Sequence, residues 1–373
     1  MTPDIPKQGT VEGLQILRAL AAVMIVFHHA RASVPGAESW TAAGETGVDV
    51  FFVISGFVMS YTTALVDVSG RLRQRATEVG RFLEKRLLRI VPLYVLALLW
   101  VSRRDLSSGV VSRDLLQDLA FIPHPNASYP QSLVPSLQQG WTLNFEMFFY
   151  VLFAASLMFG AWRTRWLIGT LLVLVLVGAA RTYSHWPAHY VVPMWTGAPN
   201  DVPGILATFY TDDILLDFGY GILLHRLTRV ARAPDWPRWV YFALAALGMA
   251  GLVLLDPLWP RGITQGIPAA LVVWAGIQAC AGLRLPVLEL LGDASYAIYL
   301  FHWAVFGFVK PLTRLLGDSH GHLGRIVALM AAHIVVAVLA GIAIHLVIER
   351  PFMRWAKGAL AQRRLVAAGA LQA

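Results

Sequence analysis

Ten stretches of this chain are mainly apolar over lengths near the roughly 20 residues that a helix needs to cross the hydrocarbon core of a bilayer. They run at about 14–33, 45–64, 87–102, 141–160, 166–183, 206–225, 237–256, 262–282, 291–312 and 325–348. That many apolar runs cannot be hidden inside a water-soluble domain. Hydrophobic residues make up 57% of the 373 and charged residues only 14%, where about 25% charge is usual in soluble proteins. The same scarcity of charge excludes a disordered chain. The composition predicts an all-α polytopic membrane protein of about ten transmembrane helices. Its weakest span is the third, which is short and carries Pro92 near its start. The single cysteine, Cys280, excludes an intrachain disulfide and a cysteine-ligated zinc centre. No metal site is expected, the outer-loop histidines His320 and His322 included.

Lys and Arg collect on the cytoplasmic side of membrane proteins. With the N-terminus inside, twenty of them fall on that side, seven between Arg71 and Arg89, and eight on the other. Both termini are therefore expected in the cytoplasm. A rival reading of the start is a signal peptide, with the apolar run Ala19–Phe27 followed by Ala30-Arg31-Ala32. Against it, Arg18 and the His28-His29 pair interrupt the segment, and acidic Asp4 and Glu12 precede it. The net charge of +8 lies largely in the inner loops, and no nucleic-acid partner is expected. The longest non-spanning segment, about 103–140, contains an expected interfacial helix over Leu115–Ile122 and prolines at 123, 125 and 130; loops of that length are usually functional. The sequon Asn126-Ala127-Ser128 is read as a chance match.

Ionisable side chains inside a span are costly and mark function or a dedicated partner. Arg18 and His29 lie eleven residues apart in the first span, about three turns, so they share a face roughly 16 Å long. Snorkelling accounts for Arg18 alone, and a structural hydrogen bond for His29 alone. The shared face argues that they act together, whereas His28 points about 100° away. Asp49 opens the second span at about the depth of His29, where a carboxylate fixes the tautomer of an imidazole. The plainer reading is a solvated helix-start residue. Glu146 stands about one turn into the fourth span from the outside. Ser295, Tyr299 and His302 follow an i, i+4, i+7 spacing along the ninth span, either as interhelical hydrogen bonds or as the lining of a route. On the inner side Arg81, Lys85, Arg86 and Arg89 form the densest basic patch. It serves as a positive-inside signal with anionic-lipid contact, or as a clamp for a phosphorylated ligand, because guanidinium forks match phosphate oxygens.

Six pieces in order carry a resemblance: Arg18 and His29 with ten residues between them, Gly47–Phe57, Arg86–Tyr94, Trp141 through Glu146 to Tyr150, Ser295–His302, and Ile348-Glu349-Arg350-Pro351. Together they resemble the membrane acyltransferase 3 family over residues 12–350, which leaves 351–373 as a short basic cytoplasmic tail. The opening and the Val50–Thr63 stretch look most like bacterial exopolysaccharide O-acetyltransferases. The resemblance implies a multi-pass protein of the bacterial inner membrane with no permanently bound cofactor. It implies acyl-CoA, acetyl-CoA foremost, as co-substrate, and a hydroxyl of an exopolysaccharide, another cell-surface glycan or a lipid-linked saccharide as acceptor. It also implies that Arg18 and His29 are required for transfer. The esterase-like C-terminal domain that some relatives carry is expected to be lacking here.

With that resemblance, His29 is expected to act as general base for the acceptor hydroxyl or as a transient acyl carrier. Asp49 or Glu146 would orient its ring. Arg81, Lys85, Arg86 and Arg89 would hold the donor phosphates, and Ser295, Tyr299 and His302 would line the acceptor route or serve the oxyanion. A transporter or flippase for a lipid-linked saccharide is the competing class, since intramembrane charge also marks permeation paths.

Overall fold

A computed structural model describes residues 8–38, 40, 43–64, 66, 72–125, 133–182, 201–231, 233–255, 260–316 and 322–369. Among these every regular element is helical and no strand occurs. The sequon at Asn126, Pro130 and His320 lie outside the described residues. The order is α1 (Gln8–Ser33), α2 (Gly47–Thr62), α3 (Leu72–Val101), α4 (Arg103–Ser107), α5 (Arg113–Leu119), α6 (Gly140–Leu157), α7 (Arg163–Thr182) and α8 (Val202–Phe209). It continues with α9 (Leu215–Val230), α10 (Arg238–Leu254), α11 (Arg261–Thr264), α12 (Gly266–Ala279), α13 (Pro286–Val305), α14 (Lys310–Leu316), α15 (Leu323–Ile344) and α16 (Arg350–Gly369). A single π-helical turn at His345–Glu349 joins the last two into one long rod.

Four stretches are long and apolar enough to cross a membrane: Glu12–Ser33, Ala43–Thr62, Gly160–Arg181 and Leu323–Gln362. The other apolar segments of the sequence also fall on helices, but α9, α10 and α12 have only 16, 17 and 14 residues. The segment at 87–102 is the apolar end of the 30-residue α3, whose first half is basic from Arg73 to Arg89. Apolarity alone missed that half because a charged helix continues its hydrogen-bond ladder as readily as an apolar one. Pro92 lies inside α3 and cannot donate to the carbonyl one turn earlier. Close to this break the Tyr296 hydroxyl donates to the Ile90 carbonyl at 2.8 Å. The expected interfacial helix is α5, where Ser112 accepts the Leu115 amide at 3.1 Å as an N-cap. The chain then folds back on the bundle: the Asp118 carbonyl accepts from Tyr94 and its Oδ2 from the Ser136 amide.

Lipid tails are as apolar as the helices, so association inside a membrane depends on close packing at small residues. α1 lies against α2, α12, α13 and α15. Gly292 of α13 sits on the backbone of Gln15, and Gly341 of α15 on Ile298. α2 and α9 cross backbone to backbone, with Gly56 against the Phe218 carbonyl and Gly221 against Val53 and Phe57. Beside this crossing, Phe145 stacks on Phe209 and Phe149 on Phe218 with ring centroids 4.0 Å apart in each pair.

The α2–α9 crossing makes a direct prediction. A Cβ at Gly221 would collide with the Val53 carbonyl and stand 2.6 Å from the Phe57 nitrogen, whereas one at Gly80 in α3 meets nothing within 4 Å. Gly221→Ala should therefore lower the melting temperature of the purified protein. Gly80→Ala should leave it unchanged or raise it, by up to about 1 kcal/mol of helix propensity, in the same thermal-shift measurement.

Candidate active site

Three polar contacts link α1 to α13, and they occur in the same order along both helices. Gln15 Nε2 donates to Asp293 Oδ1 at 2.6 Å, Arg18 Nη2 to Ser295 Oγ at 2.9 Å, and His29 Nδ1 stands 3.2 Å from His302 Nε2. The two helices therefore run parallel, and the spacing that put Arg18 and His29 on one face brings both onto the Ser295–Tyr299–His302 seam. Asp293, Glu349 and Glu146 supply the negative charge facing Arg18, and Arg89 the positive.

The hydrogen bonds assign the histidine tautomers. His302, fully buried, has its Nδ1 2.7 Å from the Tyr299 carbonyl. A carbonyl only accepts, so the proton is on Nδ1 and the lone pair of the neutral ring on Nε2. That lone pair faces His29 Nδ1, which is also 3.0 Å from the Ile25 carbonyl and so carries the proton between two acceptors. The basic nitrogen of His29 is therefore Nε2. Trp303 packs edge-on against the same ring at 5.3 Å.

Below this pair lies a cavity of about 830 Å³, its open mouth included, between α1, α2, α3, α6 and α13. Arg18, Arg86 and Arg89 line it against one carboxylate, Glu146. Glu146 Oε1 accepts from Tyr150 at 2.6 Å and from Ser55 at 3.1 Å, and Arg86 is held by Thr62 Oγ1 at 2.8 Å. At the far end Tyr299 donates to the Gln139 carbonyl at 2.9 Å and stands 2.7 Å from Thr142 Oγ1. Its ring walls the cavity, while its own carbonyl fixes His302. One residue thus joins the cationic cavity to the histidine pair.

The structure separates the expected site residues into groups. Arg18, Arg86, Arg89, Glu146, Ser295 and Tyr299 line the cavity, with His29 and His302 beyond Tyr299. Arg81 pairs with Glu78 on the exposed side of α3, and Lys85 is exposed, so neither reaches it. Asp49 does not orient His29. Its two oxygens take the Nε and Nη2 of Arg261 at 2.9 and 2.8 Å, and Glu146 is engaged as described, so His302 and the Ile25 carbonyl hold the His29 ring. Ser55, Thr142 and Tyr150 were not singled out individually from the sequence. Tyr150, four residues after Glu146, was within reach of helical spacing; Arg261, 212 positions from Asp49, carried no local signal.

A family model described as an acyltransferase domain matches residues 11–350. The chain belongs to the acyltransferase 3 family. It is thus an acyl-transferring enzyme of a membrane family. The exopolysaccharide production protein ExoZ of Rhizobium meliloti (strain 1021) is 32% identical over 330 residues, 83% of this chain and 90% of ExoZ. The acyltransferase MdmB of Streptomyces mycarofaciens is 26% identical over 88% of this chain and 84% of its own. The O-acetyltransferase OatA of Staphylococcus aureus (strain NCTC 8325 / PS 47) is 25% identical over 80% of this chain and 51% of OatA. No solved structure matches the chain.

Asp49 in this family member is fully buried; both its oxygens take an N–H of Arg261, and the Asp217 carboxyl stands beside the pair. Arg261→Met should strand the carboxylate and cost about 3–5 kcal/mol of stability, read as a fall in melting temperature. Adding Asp49→Asn should recover a large part of the loss; a double variant as unstable as the single one would mean that the ion pair is not the cause.

Proposed function

We propose that this enzyme moves an acetyl or similarly short acyl group from cytoplasmic acyl-CoA to a hydroxyl of an exopolysaccharide or other cell-surface glycan, working as a ten-span protein of the bacterial inner membrane with both termini inside. One observation carries the reading: a cavity with three arginines at one end abuts, through Tyr299, a histidine whose Nε2 is held free of its proton. The similarity to an exopolysaccharide production protein supports the acceptor class. The parallel pairing of α1 and α13 supports the topology, because it requires an odd number of crossings between them and the ten-span scheme has seven.

In the proposed reaction Arg86 and Arg89 take the donor phosphates by charge-assisted forks, and Arg18 continues the positive path inward. The thioester carbonyl is already activated, so the remaining requirement is a deprotonated acceptor oxygen. His29 Nε2 removes that proton as the hydroxyl attacks. The new C–O bond forms, the C–S bond breaks, and the thiolate takes the proton held on His29 Nε2 and departs as the thiol, which restores the base. His302 polarises His29 through the Nδ1 proton, and Tyr299, tied to the Gln139 carbonyl and to Thr142, walls the junction where the acyl group sits. Asp49 serves the scaffold through Arg261.

With purified protein, radiolabelled acetyl-CoA and a glycan acceptor, His29→Ala should reduce ester formation by about 10²–10⁴, and His28→Ala should be mild. Equal activity in the two variants would remove His29 from the chemistry. Arg89→Ala should raise the apparent donor KM about ten- to a hundredfold, the lost contact contributing about 1.5–3 kcal/mol, and an unchanged KM in Arg86→Ala/Arg89→Ala with the protein still folded would remove the patch from donor binding. Reporter fusions after Arg165 and after Ala373 should both give cytoplasmic signals; a periplasmic signal at either breaks the ten-span scheme.

A further inference from the structure

A second, smaller cavity of about 350 Å³ lies where the C-terminal ends of α2, α6 and α9 meet the first turn of α7. It shares no lining residue with the cavity described above. The end of α2 forms the partition: Thr62 holds Arg86 on one side, and Thr63 faces the smaller cavity on the other.

Three guanidinium groups line this space, Arg163 from α7 and Arg226 and Arg229 from α9, with no carboxylate among the lining residues. Arg226 donates to the Thr164 hydroxyl. Arg163 Nη1 is buried and has no hydrogen-bond partner among the described residues. The hydroxyls nearby, among them Thr63 and Ser156, which donate to the Met59 and Phe153 carbonyls at 2.6 Å each, are neutral and bring no counter-charge. A buried guanidinium nitrogen without a counter-charge is costly, and the exposed Arg226 and Arg229 beside it add repulsion. A tetrahedral oxyanion removes both penalties, since each planar fork can meet a pair of its oxygens.

We propose that this second cavity is a phosphate-binding site, taking either the phosphomonoester of a nucleotide or the headgroup phosphate of an anionic lipid on Arg163, Arg226 and Arg229. The site is independent of the donor cavity, so its binding does not rest on the reaction proposed above.

The test uses the full-length protein carrying Arg86→Gln/Arg89→Gln, which silences the donor cavity toward phosphates. Three probes are titrated by calorimetry or thermal shift: inorganic phosphate, adenosine 3′,5′-bisphosphate, and nanodiscs with or without phosphatidylglycerol. At least one should bind saturably in this background. Adding Arg163→Gln or, separately, Arg229→Gln should weaken that probe at least tenfold; Arg229 is exposed, so its variant keeps the test valid should Arg163→Gln fail to fold. Preference for the bisphosphate assigns a nucleotide source, and response to phosphatidylglycerol alone assigns a lipid source. The proposal is overturned if no probe binds, or if binding survives both the Arg163 and the Arg229 substitutions.

Discussion

A guanidinium within a bilayer must find its partners on neighbouring helices, and for Arg18 those partners lie along α13, where Ser295 accepts its hydrogen bond and Asp293 supplies opposite charge. This contact sets the register of α1 on α13, and most of the site follows from that register. With Gln15 on Asp293 and Arg18 on Ser295 at one end, His29 arrives at His302 at the other. Rotating α1 by one residue, about 100°, would take the imidazole off its acceptor and break the link between the two rings.

The cavity beneath that pair is polarised along its length. Arginines gather at one end and neutral hydroxyls at the other, with Glu146 tied to Tyr150 and Ser55 between them. Low dielectric strengthens such interactions relative to water. An anionic donor with an acyl group at its far tip fits that polarity, and under the proposed reaction the arginines hold its phosphates at the end away from the acceptor.

Close packing keeps these elements in place without a hydrophobic force to drive the helices together. Gly56 and Gly221 let α2 and α9 meet backbone to backbone, and α2 then carries Ser55 into the larger cavity and Thr63 into the smaller one. Burial of Asp49 against Arg261 fixes the other end of α2. One short helix therefore orders three polar regions, and a side chain at its glycine crossing would disturb all of them.

The all-helical class, the apolar segments and the Arg18–His29–Ser295–His302 set were legible in the sequence, because hydropathy and helical spacing are local and a polar residue in an apolar run has few explanations. The extent of α3 was not, since its basic first half from Arg73 to Arg89 reads as a loop until it is seen to share one hydrogen-bond ladder with the apolar end. The partners were not legible either. Asp49 was expected at His29 from depth alone, but depth does not specify azimuth, and the carboxylate faces Arg261, 212 residues later in the chain. Arg81 and Lys85 belong to the same basic run as Arg86 and Arg89, yet helix rotation turns the first two to the exposed side and the last two into the cavity. By itself the sequence determined which residues are too polar for their surroundings. Only the tertiary structure decided which of them meet, because the rotation of each helix is set by packing against helices distant in the chain.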